Sequence, residues 1–231
     1  GHWCLMAFLV HRFTNRALRV TLALFADYAV EGSENIPSDG PLLVVANHQS
    51  NTDPPILATS LRRDTRFLAK DSIFKGVTPL GVWFLRSYGA QPLRRGQMDL
   101  KALRWALAEL KRPGATLALF PEGTRNPGAM KRAESGIVQL AARAGTPILP
   151  VGMSGVEGMS SWLRAFKPKG TIRVRIGQPF RLNVDGKLSR NETEAAASEI
   201  MGRVAALLPE SYRGVYAEAA ESPFSFTETV G

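Results

Sequence analysis

Apolar residues recur along the chain in short runs and in helical stripes, and this pattern predicts alternating strands and helices. Six runs have the length and composition of strands: 42–46, 66–70, 89–93, 116–120, 147–152 and 171–176. Five segments have helical spacing: 54–62, 78–87, 98–112, 135–144 and 193–208. Strands that alternate with helices predict an α/β fold in which helices pack on a sheet.

The first thirty residues carry a pattern of their own. Residues 3–30 are apolar with polar interruptions, and no apolar run reaches the roughly 18 residues that a membrane-spanning helix needs. On a helical wheel Arg12, Arg16 and Arg19 share one face. The apolar residues roughly opposite are Met6, Phe13, Ala17, Val20 and Leu24. This pattern fits an interfacial membrane helix, and it equally fits a first core helix with a solvated charged side.

Composition and charge narrow the classes of partner. A chain of 231 residues with 45% hydrophobic residues suits one domain with a sizeable core. The net charge of +9 predicts an anionic partner: nucleic acid, an anionic membrane, or a phosphorylated or acidic ligand. The single cysteine excludes an internal disulfide and fits a reducing compartment. From about Pro209 the chain is polar and weakly patterned, which predicts a surface tail.

The first predicted strand ends in unusual chemistry. The aliphatic run 42–45 is followed within eight residues by Asn47, His48, Ser50 and Asp53. A histidine with a carboxylate partner can act as a general base, because the carboxylate fixes the tautomer and stabilises the imidazolium. Asp53 also has a simpler interpretation: it precedes two prolines and a helical pattern, so it can cap a helix.

Two further strand ends carry arginines. The segment Pro121-Glu122-Gly123-Thr124-Arg125 follows the fourth strand, and Arg94 and Arg95 follow the third. Arginine, hydroxyl and backbone N–H groups together suit a phosphate, whereas the simpler interpretations are a turn and a solvated charge pair. The chain has no Gly-x-Ser-x-Gly elbow, and one cysteine with one internal histidine argues against a zinc site, so no metal is expected.

Taken in order, these segments resemble the glycerolipid acyltransferases, most closely the bacterial 1-acylglycerol-3-phosphate acyltransferases. The resemblance covers roughly residues 36–182. It rests on Asn-His-x-Ser-x-x-Asp from Asn47 to Asp53, on a glycine and arginine segment, on Pro-Glu-Gly-Thr-Arg from Pro121 to Arg125, and on an apolar strand with Pro150.

The resemblance implies a fold and a reaction. The fold is α/β, with a central mixed sheet flanked by helices and preceded by an N-terminal amphipathic two-helix element. Residues 1–32 would form membrane-interface helices, and residues 33–231 the acyltransferase domain with its polar C-terminal tail. The reaction moves an acyl group from a thioester, acyl-CoA or acyl carrier protein, to the hydroxyl of 1-acyl-glycerol-3-phosphate. The product is phosphatidic acid, no cofactor is needed, and the expected location is peripheral, on the cytoplasmic face of a membrane.

The resemblance also implies roles for single residues. His48 is the general base and Asp53 its orienting partner. Pro150 shapes the acyl-donor side. The residues expected to hold the glycerol phosphate are Arg95, Glu122, Gly123, Thr124 and Arg125.

Two departures from the family pattern leave the acceptor open. Glu134 and Ser135 stand before Gly136, where a lysine is often found, and Gln91 and Pro92 stand where an aromatic residue is common. Another lysophospholipid or hydroxylated lipid is therefore an alternative acceptor. A basic nucleic-acid-binding module is an alternative from another class, but the chain lacks a helix-turn-helix, an aromatic RNP-like strand and a zinc motif, so no nucleic-acid partner is expected.

Overall fold

The computed structural model describes residues 2–93, 100–159, 167–184, 186 and 188–230, with side chains from Leu9 onward. The helices are α1 His2–Phe25, α2 Asp53–Leu61, α3 Asp71–Lys75, α4 Pro79–Ser87, α5 Leu100–Glu109, α6 Gly136–Ala144, α7 Arg190–Ala205 and α8 Glu210–Arg213. The strands are β1 Asp27–Glu31, β2 Leu42–Ala46, β3 Thr65–Lys70, β4 Ala90–Leu93, β5 Thr116–Leu119, β6 Ile148–Ser154, β7 Thr171–Ile176, β8 Phe180–Leu182 and β9 Thr227–Thr229.

One mixed sheet forms the centre of the fold, in the order β1-β7-β6-β2-β5-β3-β4. Strands β6, β2, β5, β3 and β4 run parallel to one another, and β7 runs antiparallel to β6. Short strands β8 and β9 extend the sheet from β6. The carboxyl ends of the parallel strands therefore meet at one edge, where ligands bind in sheets of this kind.

The burial of the central strand β2 on both faces explains why the first polar site residues follow an uninterrupted aliphatic run. All five residues of Leu42–Ala46 are fully buried. Leu43 and Val45 face a core shared with α5, α6 and α7, and Leu42, Val44 and Ala46 face a second core shared with α1 and α2. A parallel strand covered on both faces has no polar side, so periodicity gives way to a continuous apolar run. The predicted α/β class and its flanked mixed sheet are confirmed.

The N-terminal element differs from the expected pair of helices. Residues 2–25 form a single helix, α1, because neither glycine nor proline interrupts them. The helix packs against α2 and α4 through a face of His11, Asn15, Leu18 and Leu22. Phe13 is 77% exposed and Leu24 69% exposed. No helix in the described part of the chain is both long and apolar enough to cross a membrane.

The C-terminal residues lie mostly at the surface, as their polarity predicts, but side-chain hydrogen bonds dock them on the body of the protein. Glu199 on α7 accepts hydrogen bonds from the backbone N–H groups of Ser225 and Phe226, at 2.7 and 2.9 Å. Arg203, one turn further along α7, donates to the hydroxyl of Thr227 at 2.6 Å, and Tyr216 is buried. Polar side chains thus bind this segment to the body of the protein, which a hydrophobicity pattern cannot show.

Candidate active site

The loop after β2 places a histidine beside a buried carboxylate. Nδ1 of His48 lies 2.7 Å from Oδ2 of Asp53, at the start of α2. The His48 side chain is 12% exposed and that of Asp53 is fully buried. The His48 ring stacks on Phe120 with 4.5 Å between ring centroids. With Nδ1 bound to the carboxylate, Nε2 is the nitrogen left to exchange a proton with a substrate.

Asp53 does not cap α2 with its side chain. Thr52 is the N-cap residue of this helix, and Asp53 is its first residue. Oδ2 of Asp53 instead accepts from the backbone N–H groups of Gln49 and Ser50, at 2.6 and 2.8 Å. Both donors precede the helix, so the interpretation of Asp53 as a helix cap is wrong. The carboxylate orders the β2–α2 loop (residues 47–52) and holds the imidazole at the same oxygen.

Glu122 joins this loop to the β5–α6 loop (residues 120–135). Its Oε1 accepts from the backbone N–H of His48 at 2.8 Å. Its Oε2 accepts from Nδ2 of Asn126 at 2.5 Å and from the backbone N–H of Lys131 at 2.8 Å. In return, the carbonyl of His48 accepts from the backbone N–H of Asn126 at 2.7 Å. The backbone of His48 is therefore fixed on both sides of its α-carbon.

Burial sets the electrostatics of this contact. Burial raises the pKa of the Glu122 carboxyl above its ordinary value, while the hydrogen bonds from Lys131, His48 and Asn126 oppose that rise. A buried carboxylate is costly to keep charged, and only dense hydrogen bonding makes it tolerable. With both oxygens occupied inside the protein, Glu122 positions the two loops.

The residues between the buried anchors Glu122 and Asn126 project outward. Thr124 and Arg125 are exposed, and Gly123 has a φ of +66°, a left-handed conformation that favours glycine. Arg125 and Gly123 line the same cavity as His48. This part of the β5–α6 loop can offer a guanidinium and backbone groups to an anion beside the imidazole.

A cavity of about 870 Å³ is lined by His48 and Arg125 and by residues of helices α1 to α6. Its apolar lining includes Phe67, Phe84, Leu103, Leu119 and Leu140. Ile73 and Val77, at α3 and before α4, line the cavity and are also exposed, so the apolar lining reaches the surface there. The volume and lining suit a hydrocarbon chain, and polar groups are found near His48.

Two predicted site residues are not part of the cluster that the structure describes. Arg95 lies outside the described residues. Pro150 lies inside β6, paired with Val45 of β2, and its carbonyl accepts from the backbone N–H of Gly177 at 3.0 Å. The cavity that contains His48 is not lined by Pro150. The structure thus brings together His48, Asp53, Glu122, Gly123 and Arg125, with Thr124 exposed beside them.

Sequence reasoning missed the amides that hold the loops. The side chain of Asn47 donates to the carbonyl of Met153 at 2.9 Å and accepts from its backbone N–H at 2.8 Å. Gln49 donates to the carbonyl of Gly128 at 3.2 Å. Together with Asn126, these amides tie the β2–α2 loop to its neighbours. The available signal was polarity at the end of a fully apolar strand, where Asn47 and Gln49 flank His48.

Comparison with known proteins places this geometry in a family. The sequence model described as Acyltransferase matches residues 27–154. A 1-acyl-sn-glycerol-3-phosphate acyltransferase of Pseudomonas aeruginosa is 30% identical over 212 residues, which are 88% of this chain and 76% of that protein. The chloroplastic 1-acyl-sn-glycerol-3-phosphate acyltransferase BAT2 of Brassica napus is 34% identical over 156 residues, 65% of this chain and 44% of that protein. The chain thus spans about half the length of the chloroplastic relatives.

A solved structure and a relative with a different name complete the comparison. The crystal structure of the 1-acyl-sn-glycerophosphate (LPA) acyltransferase from Thermotoga maritima matches with a TM-score of 0.60 and 30% identity, covering 84% of this chain and 76% of that one. A lyso-ornithine lipid O-acyltransferase of Pseudomonas aeruginosa is 36% identical over 115 residues, 49% of this chain and 43% of that protein. With its matched fold, its family model and a histidine–aspartate pair at the carboxyl end of β2, the chain belongs to the acyltransferase family.

Proposed function

We propose that this protein transfers a fatty acyl group from a thioester donor to the free hydroxyl of 1-acyl-glycerol-3-phosphate, giving phosphatidic acid. The observation that carries the proposal is the His48–Asp53 pair beside an apolar cavity that both His48 and Arg125 line. The reaction requires a base for the acceptor's hydroxyl, a cation for its phosphate and an apolar space for its acyl chain. Relatives named for this activity support it.

The proposed mechanism is direct transfer with His48 as the general base. Nε2 of His48 takes the proton of the acceptor hydroxyl while that oxygen attacks the thioester carbonyl carbon. A tetrahedral intermediate forms, the carbon–sulfur bond breaks, and the departing thiolate recovers the proton from the imidazolium. Asp53, held at Oδ2 by backbone N–H groups, keeps Nδ1 protonated and stabilises the imidazolium. The co-substrate is acyl-CoA or acyl carrier protein, and no cofactor takes part.

The acceptor's phosphate would bind at the exposed part of the β5–α6 loop. Arg125 supplies a guanidinium that matches phosphate oxygens, and Thr124 a hydroxyl. Gly123 leaves the loop backbone open to the ligand, and we assign Arg95 to the same site. Pro150 would act on the acyl-donor side, through the strand pair that it makes with β2.

A second acceptor is favoured by one observation. Glu134 lines the cavity beside Gly123, so a carboxylate lies close to the proposed phosphate position. A negative charge there suits a lysolipid with a cationic group better than a doubly charged phosphate. A relative named for lyso-ornithine lipid supports this alternative.

Peripheral binding to the cytoplasmic face of an anionic membrane completes the proposal. The side of α1 opposite its docked face carries Leu9, Phe13, Val20 and Leu24, and Arg12 and Arg16 are exposed beside it. Apolar side chains flanked by cations suit the boundary between lipid headgroups and acyl chains. The net charge of +9 also favours binding to anionic lipids.

An acceptor panel tests the proposed function. Purified protein is incubated with acyl-CoA or acyl carrier protein and with lysophosphatidic acid, lyso-ornithine lipid or monoacylglycerol, and products are identified by mass spectrometry. Phosphatidic acid as the main product supports the proposal. A preference for the lyso-ornithine acceptor would replace it with the alternative, and no acyl transfer to any acceptor would overturn both.

A further inference from the structure

We propose that residues 209–216, here called the C-terminal brace, hold the β5–α6 loop in the conformation that binds the acceptor. The substrate role of that loop rests on the proposed function; the contacts that hold it do not. The brace includes α8 and the short 3-10 helix Gly214–Tyr216. Its residues are some eighty positions from the loop in sequence, and composition gave them no role beyond a surface tail.

The first contact between the brace and the loop is at Met130. The backbone N–H of Met130 donates to the carbonyl of Tyr212 at 2.9 Å, and the carbonyl of Met130 accepts from the backbone N–H of Val215 at 3.3 Å. The Met130 side chain is buried in the core. Both backbone polar groups of Met130 are thus paired with the brace, as they would be in a strand ladder.

The brace and the loop also approach each other closely at Gly214. Gly214 has φ +53° and ψ −128°, a conformation that glycine alone adopts readily. A Cβ at this position would lie 2.1 Å from the carbonyl oxygen of Met130. A side chain at position 214 would therefore push the brace away from the loop.

A third contact lies next to the cavity. The backbone N–H of Ala133 donates to the hydroxyl of Tyr216 at 2.6 Å, and the Tyr216 side chain is buried. Ala133 directly precedes Glu134, which lines the cavity. The hydroxyl of Tyr216 thus pairs a half-buried backbone donor of the loop.

These contacts connect the brace to His48. Lys131, between the two braced residues Met130 and Ala133, donates its backbone N–H to Glu122, and Glu122 accepts from the backbone N–H of His48. Tyr216 touches no cavity-lining group that reacts, so it is a positioning residue. Loosening the brace is expected to move the loop that carries Arg125 and to leave the His48–Asp53 pair intact.

The test compares two tyrosines of the brace. Tyr216→Phe removes the hydroxyl that reaches the loop. Tyr212→Phe, the matched control, removes a hydroxyl that donates at the same 2.6 Å distance to Glu157, away from the loop. Gly214→Ala is the second variant and acts through the close contact. For each protein we would measure amide hydrogen exchange of 121–134, melting temperature, and KM and kcat for lysophosphatidic acid.

Tyr216→Phe is expected to speed exchange at Ala133, whose N–H loses its partner. The KM for lysophosphatidic acid should rise about fivefold, the scale of one lost hydrogen bond, while kcat stays within about twofold. Gly214→Ala should change both in the same direction, and Tyr212→Phe neither. Unchanged exchange in Tyr216→Phe, or an equal KM change in Tyr212→Phe, would overturn the proposal. A wild-type protein without transfer activity would refute the proposed function, and the exchange data would still decide whether the brace holds the loop.

Discussion

Three atoms of His48 are held by three different residues. Nδ1 is held by Asp53, the backbone N–H by Glu122 and the backbone carbonyl by Asn126. The imidazole and its backbone thus keep one position before any substrate arrives. Such preorganisation lowers the reorganisation that proton transfer requires, and it allows each contact to be tested by itself.

Asp53→Asn separates the charge of Asp53 from its hydrogen bonds. An asparagine oxygen can replace Oδ2 as acceptor for Gln49 and Ser50. The free energy of unfolding, followed through the melting temperature, should therefore fall by no more than about 2 kcal/mol. A neutral amide cannot stabilise the imidazolium of His48, so the acyl-transfer rate should fall at least about a hundredfold. Folded Asp53→Asn with near-normal turnover would remove Asp53 from the mechanism.

Glu122→Gln tests the tie between the two loops. The glutamine NH₂ would face an N–H donor where a carboxylate oxygen now accepts, so turnover is expected to fall about tenfold or more. Because burial raises the pKa of Glu122, its contribution to folding is largest below the ordinary glutamate value and is lost as pH rises through the raised pKa. The melting temperature of the variant should therefore lie further below that of the wild type near pH 4.5 than at pH 7. A difference that does not change with pH would show that the raised pKa is incorrect.

Arg125→Lys tests the proposed phosphate contact. The change keeps the charge but replaces a planar fork by a point charge, so kcat/KM for lysophosphatidic acid should fall about tenfold. Monoacylglycerol has no phosphate, and its kcat/KM should stay within about twofold. Equal losses with both acceptors would assign Arg125 to the donor or to the fold.

At the scale of the element, α1 has two contrasting faces. His11, Asn15, Leu18 and Leu22 dock it, and the hydroxyl of Tyr88 donates to Oδ1 of Asn15 at 2.6 Å. The opposite side is apolar and exposed. The interpretation of residues 3–30 as a core helix is confirmed for the docked face. The interpretation as a membrane helix stays a prediction, which rests on the exposed apolar side chains of the described residues. Deleting the helix would uncover core residues, so point substitutions are the sharper test.

The double substitution Phe13→Ser and Leu24→Ser is expected to weaken binding to anionic vesicles about tenfold or more. Both side chains are exposed and apolar, and each would bury apolar area in the proposed membrane interface. The melting temperature should hardly change, since both side chains are exposed. Val215→Ser, a similarly exposed apolar position, is the control and should bind like wild type. Co-sedimentation with vesicles measures all three. Unchanged sedimentation of the double variant would place the membrane contact elsewhere.

The sequence predicts the bounds of five elements closely. The strands at 42–46 and 171–176 match their predicted bounds, and α2, α4 and α6 lie within one residue of theirs. Helix α7 begins at Arg190, earlier than expected, because Ser189 and Glu192 form a capping box. Strands β1, β8 and β9 were missed: they are short, and each depends on pairing with a strand distant in sequence.

At the scale of the molecule, sequence patterns located the site but not the hydrogen bonds that hold its loops together. The predicted strand ends carry the residues of the site, and because β2 and β5 are parallel neighbours, the structure places His48 and Glu122 in contact at one edge. The inward turn of Glu122 and the anchoring role of Asn126 depend on burial between two loops, which no local pattern encodes. The same holds for the C-terminal brace, whose polar residues pack through hydrogen bonds.

The central claim is that His48 is the general base for acyl transfer to a lysolipid bound in this cavity. The most direct measurement follows one turnover from a thioester donor to lysophosphatidic acid by mass spectrometry, with wild-type protein and with His48→Ala at equal folded concentration. The wild type should produce phosphatidic acid, and His48→Ala should be slower by at least about a hundredfold. A folded His48→Ala protein that produces phosphatidic acid at the wild-type rate would contradict the account.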